Sequence, residues 1–323
     1  MSTFPDGLYQ YGGVPVGGDL TSLAMGNVYF VFESGHAAYA DLIEERQGIY
    51  HNDGSWRCHA TIQSALDATV ANRNDYVIVL PDNTDYDMTA TLTMTKNRTH
   101  LLAPSGMGTF GFPNNSVRLH QETAATALIT VTGDCVEIGG FFFKHMTDSN
   151  GIVLSGTRWH PIIHDNFFGM ACADTGTAAY GVGGTGAISH ASIFGNYFCN
   201  YSPGLMTGTN NAIAAFINIS SGSATRGLIR NNIMNTGANT TVGAGIKFSG
   251  VDGFVIGNYL WENAGGGGID AGVFTLGIST SAQCFVADNR IGIATEANAV
   301  SGGTTDQSYA CNYEGTSGGV VAV

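Results

Sequence analysis

The chain has 323 residues, enough for one large domain or two ordinary ones, and combines 46 glycines with only 11% charged residues. A disordered chain would carry more charge and fewer aromatics, so this composition describes a folded, turn-rich protein. A net charge of −13 with 12 Lys and Arg spread along the chain speaks against a nucleic-acid surface, and no run approaches the roughly 18 apolar residues of a membrane helix.

The first 30 residues hold no basic segment followed by an apolar stretch, which gives the expectation of a soluble chain without a Sec-type signal. Residues 1–55 mix Gly and Pro turns with the aromatics Tyr9, Tyr11, Tyr29, Phe30 and Phe32. Such side chains anchor interfaces, so this segment is expected to dock or oligomerise the protein, the plain alternative being an extension packed along its own outside.

From Trp56 onward the pattern changes. Thr61 to Val70 puts Ile62, Ala65, Leu66 and Val70 on one helical face, and Asp75 to Leu80 then reads as a strand ended by Pro81. An amphipathic helix at this point would cover the exposed first coil of a repeating stack.

The repeat itself is an apolar residue, two variable residues, Asn, and usually another apolar residue. It occurs as Ile163-His-Asp-Asn166, Ile193-Phe-Gly-Asn196, Ile229-Arg-Asn-Asn232, Val255-Ile-Gly-Asn258, Val286-Ala-Asp-Asn289 and Tyr309-Ala-Cys-Asn312. Gly140 is aligned with it as the first member. The steps between successive positions run from 23 to 36 residues, which suits one solenoid turn plus a variable loop.

A sharp bend in the left-handed backbone region would explain Gly and Asn at one site, with the Asn amides forming a ladder between coils. The aromatic that follows is expected to point inward. Short β-branched strands fill the intervals and helical periodicity is absent, which predicts an all-β, single-stranded, right-handed parallel β-helix over 56–323 with a helical N-terminal cap. The tail Gly318 to Val323 is uncharged and strand-like, an open edge that predicts a partner subunit.

The order TIQSALDAT, DYVIVLP, short strands and Asn-aromatic turns resembles the pectin-lyase-like β-helix superfamily over roughly residues 56 to 313. The opening Phe4-Pro-Asp-Gly-Leu-Tyr-Gln-Tyr to Gly18 is similar to the start of β-helix proteins of phage virions. The resemblance implies a homotrimer. It also implies a structural virion protein (capsid decoration, head fibre or short spike) that meets the major capsid or tail protein on a virion surface, after assembly in the host cytoplasm. Contact with host-surface glycans would fit the same setting.

The superfamily also includes polysaccharide-cleaving enzymes, so a depolymerase of the tail-spike type is the alternative. Hydrolysis needs two carboxyls held roughly 5 to 9.5 Å apart. Asp165 and Asp288 precede ladder positions four coils apart, about 19 Å at a strand spacing of about 4.8 Å. The remaining weak candidates are Asp148, Asp174, Glu262 and Asp270 in loops. The polygalacturonase motifs and the pectate-lyase Arg-x-Pro-x-x-Arg are absent, and no catalytic set, metal or cofactor is called for.

His160 and His164 flank Pro161 in an extended segment, so they read as hydrogen-bonded turn histidines rather than metal ligands, even with His145 nearby. The six cysteines stand singly and read as buried thiols. A third expectation, a non-catalytic glycan-binding module, rests on Trp159, Tyr180, Tyr201 and Trp261 as exposed aromatics. Gly181 to Gly186 satisfies G-x-G-x-x-G, yet no βαβ unit surrounds it, and it reads as a wide bend.

Overall fold

The computed structural model describes residues 10–11, 14–15, 26–32, 57–82, 84–104, 117–121, 127–145, 150–170, 180–199, 214–236, 245–262, 276–279, 284–292, 300–301, 308–310 and 313–314. Apart from an antiparallel pair at 10–11 and 14–15, these form a parallel β-helix. One coil contains a first-face strand, Asn150–Leu154, a second-face strand, Ile162–His164, and a third-face strand, Phe167–Met170. The next coil repeats them as Tyr180–Gly184, Ser192–Phe194 and Tyr197–Cys199, paired in parallel register as Ile152 to Val182, Ile163 to Ile193 and Phe168 to Phe198. Stacking gives sheets of 10, 11 and 9 strands on the three faces.

Alternation decides what lies inside. Ile138, Ile163, Ile193, Ile229, Val255 and Val286 follow one another up the interior of the second face and are all buried. Inside the third face, Phe143, Phe168 and Phe198 stack at 4.5 and 4.6 Å between ring centroids. Each coil therefore buries its apolar residues against the coils above and below, and among the described residues one continuous core runs from Tyr29 to Val286.

The cap forms, with shorter bounds than the periodicity predicted. The helix is Ile62–Ala68, started by Thr61, whose Oγ1 accepts from the Ser64 N–H at 3.2 Å, and Ile62, Ala65 and Leu66 enter the core. Thr69 donates its hydroxyl and its N–H to the Leu66 carbonyl and ends the helix, so Val70 lies beyond it, exposed rather than on the apolar face.

The boundary expected at residue 55 is crossed by the sheet. Strand Val28–Val31 lies between Asp75–Val79 and Cys58–His59 on the second face and is parallel to both. Buried Asp75 joins these parts. Its Oδ1 accepts from the Asn27 N–H at 2.8 Å and from Arg73 Nε at 2.7 Å, and its Oδ2 accepts from the Val70 N–H at 2.7 Å. Arg73 also donates to the Tyr29 hydroxyl, which donates to the Ala68 carbonyl.

The ladder is real but shifted by one residue from the expected geometry. The left-handed residues between second and third face are Gly140, Asp165, Gly195, Asn231, Gly257 and Asp288, each immediately before a ladder position. Register pairs Gly139 with His164 and Phe142 with Phe167, so Phe141, not Gly140, is the counterpart of Asn166. Asn166, Asn196, Asn232, Asn258 and Asn289 are buried, and their role is hydrogen bonding rather than bending. Asn312 lies outside the described residues.

Two further expectations are corrected by the same register. The residue directly after each Asn faces out, with Phe167 stacked on Tyr197 at 5.0 Å and Tyr259 exposed, while the second residue after Asn166, Asn196, Asn232 and Asn258 enters the core. Tyr180–Gly184 is a first-face strand and not a bend; a Cβ on Gly181 would sit 2.6 Å from the Phe198 ring, so glycine there makes room for the interior aromatic.

Candidate functional site

Of the acids proposed for catalysis, Glu262 alone lies among the described residues. Asp148, Asp174 and Asp270 lie outside those residues, and Glu262 ends the third-face strand Tyr259–Glu262, in register with Thr236. Of the proposed docking aromatics, Tyr29, Phe30 and Phe32 are buried, a correction forced by the pairing of strand Val28–Val31 inside the second sheet. Tyr11 belongs to a two-residue strand paired with Val14–Pro15, and Tyr9 lies outside the described residues.

What the fold does bring together is a lateral network on the outside of the second face. Tyr76, His100 and Glu137 occupy one column of successive coils. Tyr76 stacks on His100 at 4.2 Å, His100 Nδ1 meets Glu137 Oε2 at 2.5 Å, and Glu137 Oε1 meets His164 Nε2 at 2.9 Å. His164 Nδ1 is 2.9 Å from Asp165 Oδ2, and its ring stacks on Phe194, over which the Arg230 guanidinium lies at 4.9 Å.

Burial alone would push the Glu137 carboxyl up, but hydrogen bonds and charge from His100 and His164 hold it down at about 2. Burial would lower His164, and its bonds to Asp165 and Glu137 raise it to about 9 instead. At neutral pH the pair is a carboxylate and an imidazolium. A general acid or base works best with a pKa near the operating pH, so this arrangement suits electrostatic stapling of coils better than proton transfer.

A second network lies outside the third face. Asp85 is held between Arg118 Nε at 2.5 Å and Lys144 Nζ at 2.9 Å, and Asp87 accepts from His120 Nδ1 at 2.7 Å. The partners come from three successive coils, again tying carboxylates to cations along the stack.

The third group lines the corner between first and second face. Trp159 is 48% exposed; His160 and His190, from consecutive coils, stack at 4.6 Å, and Trp159 stacks on His190 at 6.0 Å. Arg226 and Asp252 continue the column, 3.9 Å apart. Burial, then the proximity of His160 and Arg226, lowers the His190 pKa. Among the described residues no group of three His, Cys, Asp or Glu is placed to hold a metal ion, and no helix is long and apolar enough to cross a membrane. Tyr180 is half-buried, Tyr201 lies outside the described residues, and Trp261 sits on the third face in register with Asn235.

The sequence reading missed the Glu137 network because its members are 37 and 27 residues apart. Aligning the strands on Ile138 and Ile163 would have found it, since His100 and Glu137 share a column and His164 lies diagonally across the next coil. Comparison with family models, curated proteins and solved structures finds no match.

Proposed function

We propose that the protein is a rigid, non-catalytic rod of a bacteriophage virion, a self-associating β-helix, most simply a trimer, that decorates the capsid or projects as a short fibre or spike. The observation that carries the structural part is the buried amide ladder from Asn166 to Asn289, backed by the ion pairs of Glu137 and Asp85, which spend titratable groups on holding coils together. A structure tied at every coil transmits force and position along its axis. Virion membership is supported by the likeness of residues 4–18 to phage β-helix proteins, and self-association by the adjacent exposed rings of Phe254 and Phe285. Mass spectrometry and electron microscopy of purified particles of the encoding phage test this: the chain is expected at stoichiometric copy number, and its absence from the particle defeats the proposal.

Exposed Trp159 favours contact with host-surface glycans as an added role of the same rod, because an indole offers an apolar surface beside the polar groups of His160 and His190. Glycan-array binding that disappears with Trp159→Ala is the expected result; unchanged binding or none removes this role.

A further inference from the structure

We propose that the imidazole pair His160 and His190 is an acid-operated switch on Trp159: at neutral pH the stacked rings hold the indole at the corner between first and second face, and on acidification they part and release it. The switch concerns how this corner responds to pH and stands whether or not Trp159 meets a glycan.

Other histidines on the outside of the coils are held by carboxylates. His100 and His164 meet Glu137, and His120 meets Asp87. Among the described residues, His160 and His190 meet no carboxylate. They meet each other, at 4.6 Å between ring centroids and 15° from parallel, with Trp159 stacked on His190 at 6.0 Å and tilted against His160 at 6.4 Å. Two neutral rings stack readily in this way, whereas two imidazolium ions at the same separation repel each other.

The charges around the pair are matched without it. Below, Asp134 Oδ1 accepts from the Trp159 backbone N–H at 3.0 Å and lies 3.5 Å from Arg158 Nη1. Cys135 and, one coil further down, Arg98 hold the same left-handed corner position as His160. Above, Arg226 takes that position in the coil after His190 and Asp252 in the next, 3.9 Å apart. Each carboxylate near the pair therefore already faces a cation, and the neighbour of His190 on its upper side is a guanidinium.

A proton on His190 has nowhere to go. Its Nδ1 is buried with no hydrogen-bond partner. A neutral imidazole can leave that nitrogen bare and carry its one proton on Nε2, but the imidazolium must place a proton there with nothing to receive it. Burial, then His160 and Arg226, accordingly hold the His190 pKa below the 6.5 of an ordinary histidine. Once acid does protonate the ring, the bare N–H and the like charges both favour its moving out into water. The backbone need not follow. The His160 N–H donates to the Ser189 carbonyl at 2.8 Å and the His190 N–H to the Thr225 carbonyl at 2.7 Å, and these bonds hold the two corners at φ 52° and 55°. Movement is confined to side chains, and Trp159, 48% exposed with the rings in place, loses the ring it stacks on. Between pH 4.5 and 6.5 Glu137 is a carboxylate and His164 an imidazolium, so their network adds no change of its own in that window.

Fluorine NMR of the full-length chain grown with 5-fluorotryptophan tests the switch. The three tryptophans give three signals, and Trp159→Phe identifies one of them. Between about pH 7.5 and about pH 4.5, broadening of the Trp159 signal by a dissolved paramagnetic agent is expected to rise by up to about twofold, with a midpoint below 6.5 and unchanged circular dichroism. His160→Gln combined with His190→Gln should remove the step. Arg226→Gln should move its midpoint to higher pH and Asp252→Asn to lower pH, and these exposed changes, which leave both rings in place, carry the test if the double variant does not fold. Flat broadening in the unsubstituted chain, a step that survives loss of both histidines, a midpoint indifferent to both charge changes, or a step that coincides with loss of circular dichroism overturns the switch.

Discussion

Asn196 Oδ1 accepts two hydrogen bonds from Asn166, one from its backbone N–H at 3.1 Å and one from its side-chain Nδ2 at 3.0 Å. The second Nδ2 proton of Asn166 goes to the Ile138 carbonyl at 3.1 Å. The same trio of contacts recurs at Asn196, Asn232 and Asn258, so each amide closes the bend of its own coil onto both neighbours. At the lower end, Asn166 Oδ1 accepts from the Phe141 N–H at 3.1 Å, and the ladder ends on a residue without a side-chain amide.

Removing the Asn196 rung takes the acceptor from the buried Asn166 N–H and Nδ2 and takes one donor each from the Ile163 carbonyl and Asn232 Oδ1. Asn196→Ala is therefore expected to cost about 2 to 4 kcal/mol, more than a typical surface change, because unsatisfied buried groups keep their full desolvation penalty. A urea midpoint that moves no more than that of an exposed control such as Thr93→Ala would contradict the ladder's role.

The left-handed corner sets a different requirement. Gly140 has φ +86°, and a Cβ there would lie 2.1 Å from the Ala103 carbonyl oxygen. Gly140→Ala combines backbone strain with a backbone clash and should destabilise by about 2 to 4 kcal/mol, read as a lower melting temperature. Gly156→Ala is the comparison. It shares a positive φ of 70°, but the nearest atom to its Cβ is the flexible Arg158 side-chain end at 3.5 Å, so a smaller loss is expected.

The Glu137 network makes stability depend on pH at both ends. Glu137 is depressed from 4.5 to about 2, so its contribution is present above 4.5 and disappears as pH falls through about 2. His164 is raised from 6.5 to about 9, so its contribution is complete below 6.5 and disappears as pH rises through about 9. Melting temperature against pH should show both limbs. Glu137→Gln should flatten both, and His164→Gln should reduce chiefly the alkaline one; profiles unchanged by either substitution would show that the network adds nothing.

Asp75 has a wider effect than its single carboxylate suggests. Its oxygens bind the N–H groups of Asn27 and Val70 and the Arg73 side chain, and its own side chain is fully buried. Asp75→Ala should cost about 3 kcal/mol or more and loosen the cap before the rest of the stack. Hydrogen exchange should show early loss of protection in Val28–Val31 and Ile62–Ala68, with the strands beyond residue 150 still protected.

The repeated Asn, the amphipathic run at Ile62 to Leu66 and the short β-branched strands were sufficient to predict a capped parallel solenoid, because each follows from local spacing: period 2 in strands, 3.6 in the helix and one bend per coil. What spacing could not decide was register. A one-residue difference separates the left-handed Gly140 and Asp165 from the hydrogen-bonding position of Phe141 and Asn166, and only coil-to-coil pairing reveals it. The same limit applied to Phe30, which composition placed on the surface and which parallel pairing with Ile78 and Cys58 buries. His100, Glu137 and His164 are strangers in sequence and neighbours in space. Composition and local period thus determined the kind of fold. Which side chains meet was decided by how many residues each coil uses, a quantity fixed only when all the coils close on one core.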